Sequence, residues 1–169
     1  MKQALLTLLA VALVGGGAVA QNRKSIEGVW KVAEISITGN NASTISDPQP
    51  GLIIFGKQYF SMMYVSGDKE RPIYAAAAPT PEEKIAAFDS LIANAGTYEL
   101  KGQTMTLRPT VARNPGFTKG GFAVYRIRTA GKTLWLTIKN SDFNFRVGDK
   151  VLPLTGPPSE TQIKLIRLE

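Results

Sequence analysis

Between residues 133 and 139, Leu134, Leu136 and Ile138 alternate with Thr133, Trp135, Thr137 and Lys139. Side chains of a strand point to opposite faces in turn, so this pattern predicts one face on a core and one toward water. Tyr98 and Leu100 alternate with Thr97 and Glu99 in the same way, and Met105 and Leu107 with Thr106 and Arg108. Strand character covers eight stretches: 28–38, 52–55, 59–65, 97–100, 104–108, 122–128, 133–139 and 160–168. Three of the breaks between them, Gly56-Lys57, Lys101-Gly102-Gln103 and Ala130-Gly131-Lys132, have the residues of hairpin turns.

One segment follows a different period. Thr80-Pro81-Glu82-Glu83 supplies a capping hydroxyl, a proline at the first helical position and a glutamate three residues after the cap. Ile85, Phe88, Leu91 and Ile92 follow at helical spacing, and Gly96 is expected to end the helix. The order is then three strands, one helix and five strands. Short links favour antiparallel neighbours, and eight such strands remove their exposed edges by closing. The expected fold is all-β: an eight-stranded antiparallel up-and-down barrel, with one α-helix between strands 3 and 4. A barrel of that size holds its own side chains or one small ligand. The longer loops at 39–50, 66–79 and 142–159 are expected at its mouth.

Composition narrows the chemistry. The 169 residues include no cysteine and no histidine. Disulfides, Ser-His-Asp and Cys-His nucleophiles, and Cys/His zinc or haem ligation are therefore excluded. Neither a metal nor a cofactor is implied. The chain opens with Lys2, an apolar run over 4–14 and the small residues Ala18-Val19-Ala20. This reads as a signal peptide, 1–20, cut after Ala20, because the run is too short to span a bilayer. The expectation is one exported domain, 21–169, secreted or periplasmic, with no transmembrane segment. Residues 21–100 hold 7 basic and 9 acidic side chains, and residues 101–169 hold 12 and 4. That asymmetry suits either an anionic partner or simple solubility, and no nucleic-acid motif accompanies it.

Gly28-Val29-Trp30 resembles the Gly-x-Trp signature of lipocalins, and Arg167 matches their late arginine. Arg71-Pro72, Thr80 to Lys84, Ala87-Phe88, Gly96-Thr97-Tyr98-Glu99, Asn114-Pro115-Gly116-Phe117, Gly120-Gly121 and Arg126 are similar to the bacterial and fungal lipocalin-like domain family. The resemblance covers about residues 26–140, extended by the last strand. It implies a calycin-type barrel in which the Arg167 guanidinium packs over Trp30 at the closed end. The family often carries a histidine before the Asn-Pro turn. Here that stretch is Met105-Thr106-Leu107-Arg108-Pro109, so no activity relying on an imidazole carries over.

Gly28, Trp30 and Arg167 are expected to be a structural signature. Phe60, Met62, Tyr64 and Tyr98 are candidates for a pocket lining, or for plain core packing. Phe122, Val124, Arg126 and Arg128 share one strand face; Ala123, Tyr125 and Ile127 share the other. Arg126, and Arg108 similarly, either lie on an outer face, where Arg126 would pair with Glu99, or point into a wet cavity toward a carboxylate or phosphate. Phe143-Asn144-Phe145-Arg146 suits stacking on a ligand or anchoring a loop. No carboxylate pair has a spacing that assigns acid and base roles, so no catalytic residue is named. The expected function is binding of a small hydrophobic, or hydrophobic and anionic, molecule in the barrel. The alternatives are a cavity enzyme of isomerase or cyclase type and a filled barrel that docks onto a partner.

Overall fold

The computed structural model describes residues 26–71 and 73–169. Segment 1–20, the cut after Ala20, and Pro72 lie outside the described residues. The chain runs β1 (Gly28–Gly39), β2 (Ser43–Ile45), β3 (Gly51–Phe55), β4 (Tyr59–Val65), α1 (Pro81–Asp89), β5 (Leu91–Lys101), β6 (Thr104–Ala112), β7 (Phe122–Ala130), β8 (Thr133–Lys139), β9 (Phe143–Val147), β10 (Lys150–Pro153) and β11 (Ser159–Arg167). Eight strands, β1, β3 to β8 and β11, form a closed antiparallel barrel of up-and-down type. β11 seals it, pairing with β1 from Trp30↔Arg167 to Gly39↔Ser159 and with β8 on its other side.

The other three strands are additions. β2 folds onto β1, and β9 and β10 form a hairpin attached to the start of β7. With β2 counted, α1 follows the fourth strand; within the barrel it still joins the third and fourth staves.

Alternation fills the interior. Val32, Ile53, Phe60, Met62, Leu100, Met105, Leu107, Ile127, Leu134, Leu136, Ile138, Ile163 and Leu165 are all buried. Aliphatic and aromatic side chains thus fill much of the barrel, as the narrow cross-section of eight strands favours.

The helix is shorter than its spacing suggests. The capping box forms, with Glu83 N–H bonded to Thr80 Oγ1 (3.2 Å) and Thr80 N–H to the Glu83 carboxylate (2.8 Å). α1 nevertheless ends at Asp89 and buries no residue; Ile85 and Phe88 are exposed. Leu91 and Ile92 belong to β5, where they pair with Val65 and Tyr64. Gly96 does not stop the helix but lies inside β5 at a bulge against β6. A Cβ there would collide with the Arg108 carbonyl and the Pro109 backbone.

Candidate functional site

The two ends of the barrel differ. At one end Trp30 is fully buried, its indole N–H donates to the Ile26 carbonyl (2.8 Å), and the Arg167 guanidinium carbon lies 4.2 Å from the ring centroid. Arg167 also donates to the carbonyls of Glu27 and Glu169. Gly28 adopts φ 137°, and a Cβ there would collide with the Glu169 carbonyl and the Arg167 guanidinium. Chain ends, indole and cation thus form a plug. Tyr98 belongs to the same end, its ring edge-on to Phe55 (5.5 Å) and its hydroxyl donating to the Gly56 carbonyl (2.7 Å). Phe60, Met62 and Tyr98 pack as core. Of the four side chains expected to line a pocket, Tyr64 lines the cleft described next, and the other three do not.

The opposite end holds a cleft of about 220 Å³. β6 pairs with β7 only from Thr104↔Arg126 to Leu107↔Ala123; beyond that, β7 turns to β9 through Phe122↔Asn144 and Ala123↔Phe143. The wall parts there. Phe117 from the Asn114-Pro115-Gly116-Phe117 turn meets Phe145 of β9 at 4.4 Å and Phe143 at 6.1 Å, forming an aromatic rim. Tyr64 of β4, Ile92 and Asn94 of β5 and Tyr125 of β7 complete the lining, with Arg113 and Leu154 at its edge. An open groove sharing Asn114, Phe145 and Leu154 adjoins it.

Tyr125 is buried, with its ring edge-on to Phe143 (6.4 Å, 84°). Desolvation pushes its phenol far up, and the nearby Tyr64 raises it further. Tyr64 keeps part of its surface open, yet its surroundings push its phenol up to about 12 by desolvation. Neither hydroxyl has a hydrogen-bond partner among the described residues, and the same holds for the Asn94 amide. Buried tyrosine hydroxyls usually find a partner, so an unmet pair facing one cleft identifies a place where something else supplies the bond.

Arg113 carries the only formal charge among the described lining residues, and it is engaged elsewhere. Its guanidinium lies over the Phe88 ring (4.6 Å), donates to the Phe88 carbonyl (2.6 Å) and stands 3.6 Å from Asp89. Arg71 donates to the Ala87 carbonyl (3.0 Å). Both cations thus serve the carbonyl end of α1, where the helix dipole favours positive charge.

Arg108, Phe122 and Arg126 are not part of the cleft. The alternation that turns Tyr125 inward turns Arg126 and Phe122 outward. Arg108 lies outside with its guanidinium carbon 5.3 Å from the Phe122 ring centroid. Arg126 is exposed and pairs with Glu160 across the wall, not with Glu99. An inward anion site at Arg126 or Arg108 is thus replaced by solvent-facing arginines, since a buried guanidinium without a counter-charge is costly. Sequence reasoning does not single out several residues that form the cleft, among them Ile92, Asn94, Arg113, Phe117, Tyr125 and Leu154. The signal for Tyr125 was its sharing a face with Ala123 and Ile127, opposite two arginines.

Among the described residues no group of three His, Cys, Asp or Glu could hold a metal ion, and no helix is long and apolar enough to cross a membrane. Comparisons with protein-family models, curated proteins and solved structures found no match to this chain.

Proposed function

We propose that this is an exported, lipocalin-like binding protein that holds a small, largely apolar molecule at the mouth of its barrel. One observation carries the reading: two inward phenols, Tyr64 and Tyr125, face an aromatic-walled cleft with no hydrogen-bond partner among the described residues. Ligand sites are concave and mostly apolar, with a few polar groups that fix orientation, and this cleft has that make-up. The packed half around Trp30 supplies rigidity, and the parted wall supplies entry. Proton transfer is less favoured, because burial moves both phenols away from the range in which a general acid or base works near neutral pH.

The test is native mass spectrometry of the purified protein, with extraction of co-purified small molecules, followed by thermal shift across small apolar compounds. Ile92→Trp, which fills the cleft, should abolish any shift while the variant still melts cooperatively. An empty protein with no shift from any compound would refute the reading.

A further inference from the structure

Resting on that reading, we infer that the cleft selects an uncharged, single-ring ligand bearing a carbonyl-type acceptor and discriminates against carboxylates of the same size. Three independent features of the site converge on this class.

The first is size. A closed apolar cavity of about 150 Å³ binds benzene. The 220 Å³ here accommodates one ring with a short substituent. Phe117, Phe143 and Phe145 offer faces and edges against which such a ring packs.

The second is hydrogen-bond polarity. Tyr64 and Tyr125 each present an O–H, and Asn94 presents an amide. A phenol that keeps its proton donates, and burial holds both phenols in that form. Both hydroxyls line the same cleft, so an oxygen on the ligand meets donors and not a cation there.

The third is charge. A carboxylate entering the cleft loses water and needs a cation in return. The nearby guanidinium, Arg113, is held by the Phe88 carbonyl, Asp89 and the Phe88 ring. Turning it to a ligand would strip the end of α1 of one of its two cations. Arg108 and Arg126 lie outside the barrel. Of the basic side chains of the second half, Arg113 alone lines the cleft and Arg146 lines the adjoining groove, where the Lys119 carbonyl (3.3 Å) and Asp149 (3.5 Å) engage it.

The experiment compares three probes of matched size, acetophenone, benzoate and ethylbenzene, by calorimetry at pH 7 on the full protein. Acetophenone should bind about tenfold more tightly than either of the others, the effect of one or two well-made hydrogen bonds. Tyr125→Phe should weaken acetophenone about fivefold and leave ethylbenzene unchanged. Benzoate binding as well as acetophenone, and lost in Ile92→Trp, would overturn the inference while leaving the binding reading intact. So would equal affinity for acetophenone and ethylbenzene, insensitive to Tyr125→Phe. If none of the three binds the folded protein, the inference falls, while the binding reading stands or falls on the co-purified molecule and the wider thermal-shift series.

Discussion

Two tyrosines of this barrel should respond to the same mutation with opposite sign. Tyr98 and Tyr125 are both buried, 4% and 5% exposed, and both turn inward. The Tyr98 hydroxyl donates to the Gly56 carbonyl at 2.7 Å, whereas the Tyr125 hydroxyl has no partner among the described residues. Removing a made hydrogen bond costs about 1 kcal/mol net. Removing a buried hydroxyl that makes none restores its desolvation penalty, about 1–3 kcal/mol for a fully dry group. Tyr125 borders an open cleft, so the lower end applies, a gain of about 1 kcal/mol. Tyr98→Phe and Tyr125→Phe should thus differ by about 2 kcal/mol, or about 6 °C in Tm for a chain of this length. Urea unfolding with calorimetry would measure both against wild type. A Tyr125→Phe variant as destabilised as Tyr98→Phe would mean that the hydroxyl has a partner within the protein, and the case for a ligand there would collapse. Gained stability combined with lost affinity would mark Tyr125 as a residue kept for binding.

The other predictions concern pH, the plug and the outer wall. Tyr64 holds its proton to about pH 12 when folded, against an ordinary value of 10, so the native state binds more protons than the unfolded chain in between. Its contribution to stability is whole below pH 10 and is lost as pH rises from 10 toward 12. The urea midpoint should therefore fall more steeply there for wild type than for Tyr64→Phe, and parallel curves would contradict this. Trp30→Ala empties the best-buried aromatic site and removes the platform under Arg167, which should cost about 3–5 kcal/mol; a wild-type thermal midpoint would show the plug to be dispensable. Arg126→Ala breaks an exposed ion pair and should cost less than about 1 kcal/mol, measured by urea unfolding; a larger loss would place Arg126 in a more buried role.

Much of the barrel is legible in the sequence because a strand's faces can be read without knowing its neighbours. Leu134, Leu136 and Ile138 declare their side directly, and all three are buried. The Trp30 and Arg167 stack is legible only through the resemblance of Gly28-Val29-Trp30 and Arg167 to a lipocalin signature, since no local period joins two residues at opposite ends of the chain. The cleft is harder to read. Ile92 and Asn94 are hidden because Ile85, Phe88 and Leu91 imitate a helical stripe, although α1 buries nothing and β5 begins at Leu91. Phe143 and Phe145 stand in a stretch full of Gly and Pro that reads as loop, yet they form β9 because β7 lends them an edge. Contacts of this kind, between strands distant in sequence, leave no local period.

The position of the cleft nonetheless has a local cause. β6 carries Pro109 opposite Gly96 at a bulge, two residues beyond its last pairing with β7 at Leu107. A proline brings no N–H to a ladder, and bulges are where strands bend and pairing stops. The barrel wall therefore opens at the approach to the residue where β6 has no donor. Below that point, unbroken pairing permits only a filled interior. Above it, the freed start of β7 recruits β9, whose phenylalanines roof a cleft with room for a ring. Depth of packing at one end and access at the other thus arise from a single interruption of the sheet, and Tyr125, on β7 beside the break, stands where the two halves meet.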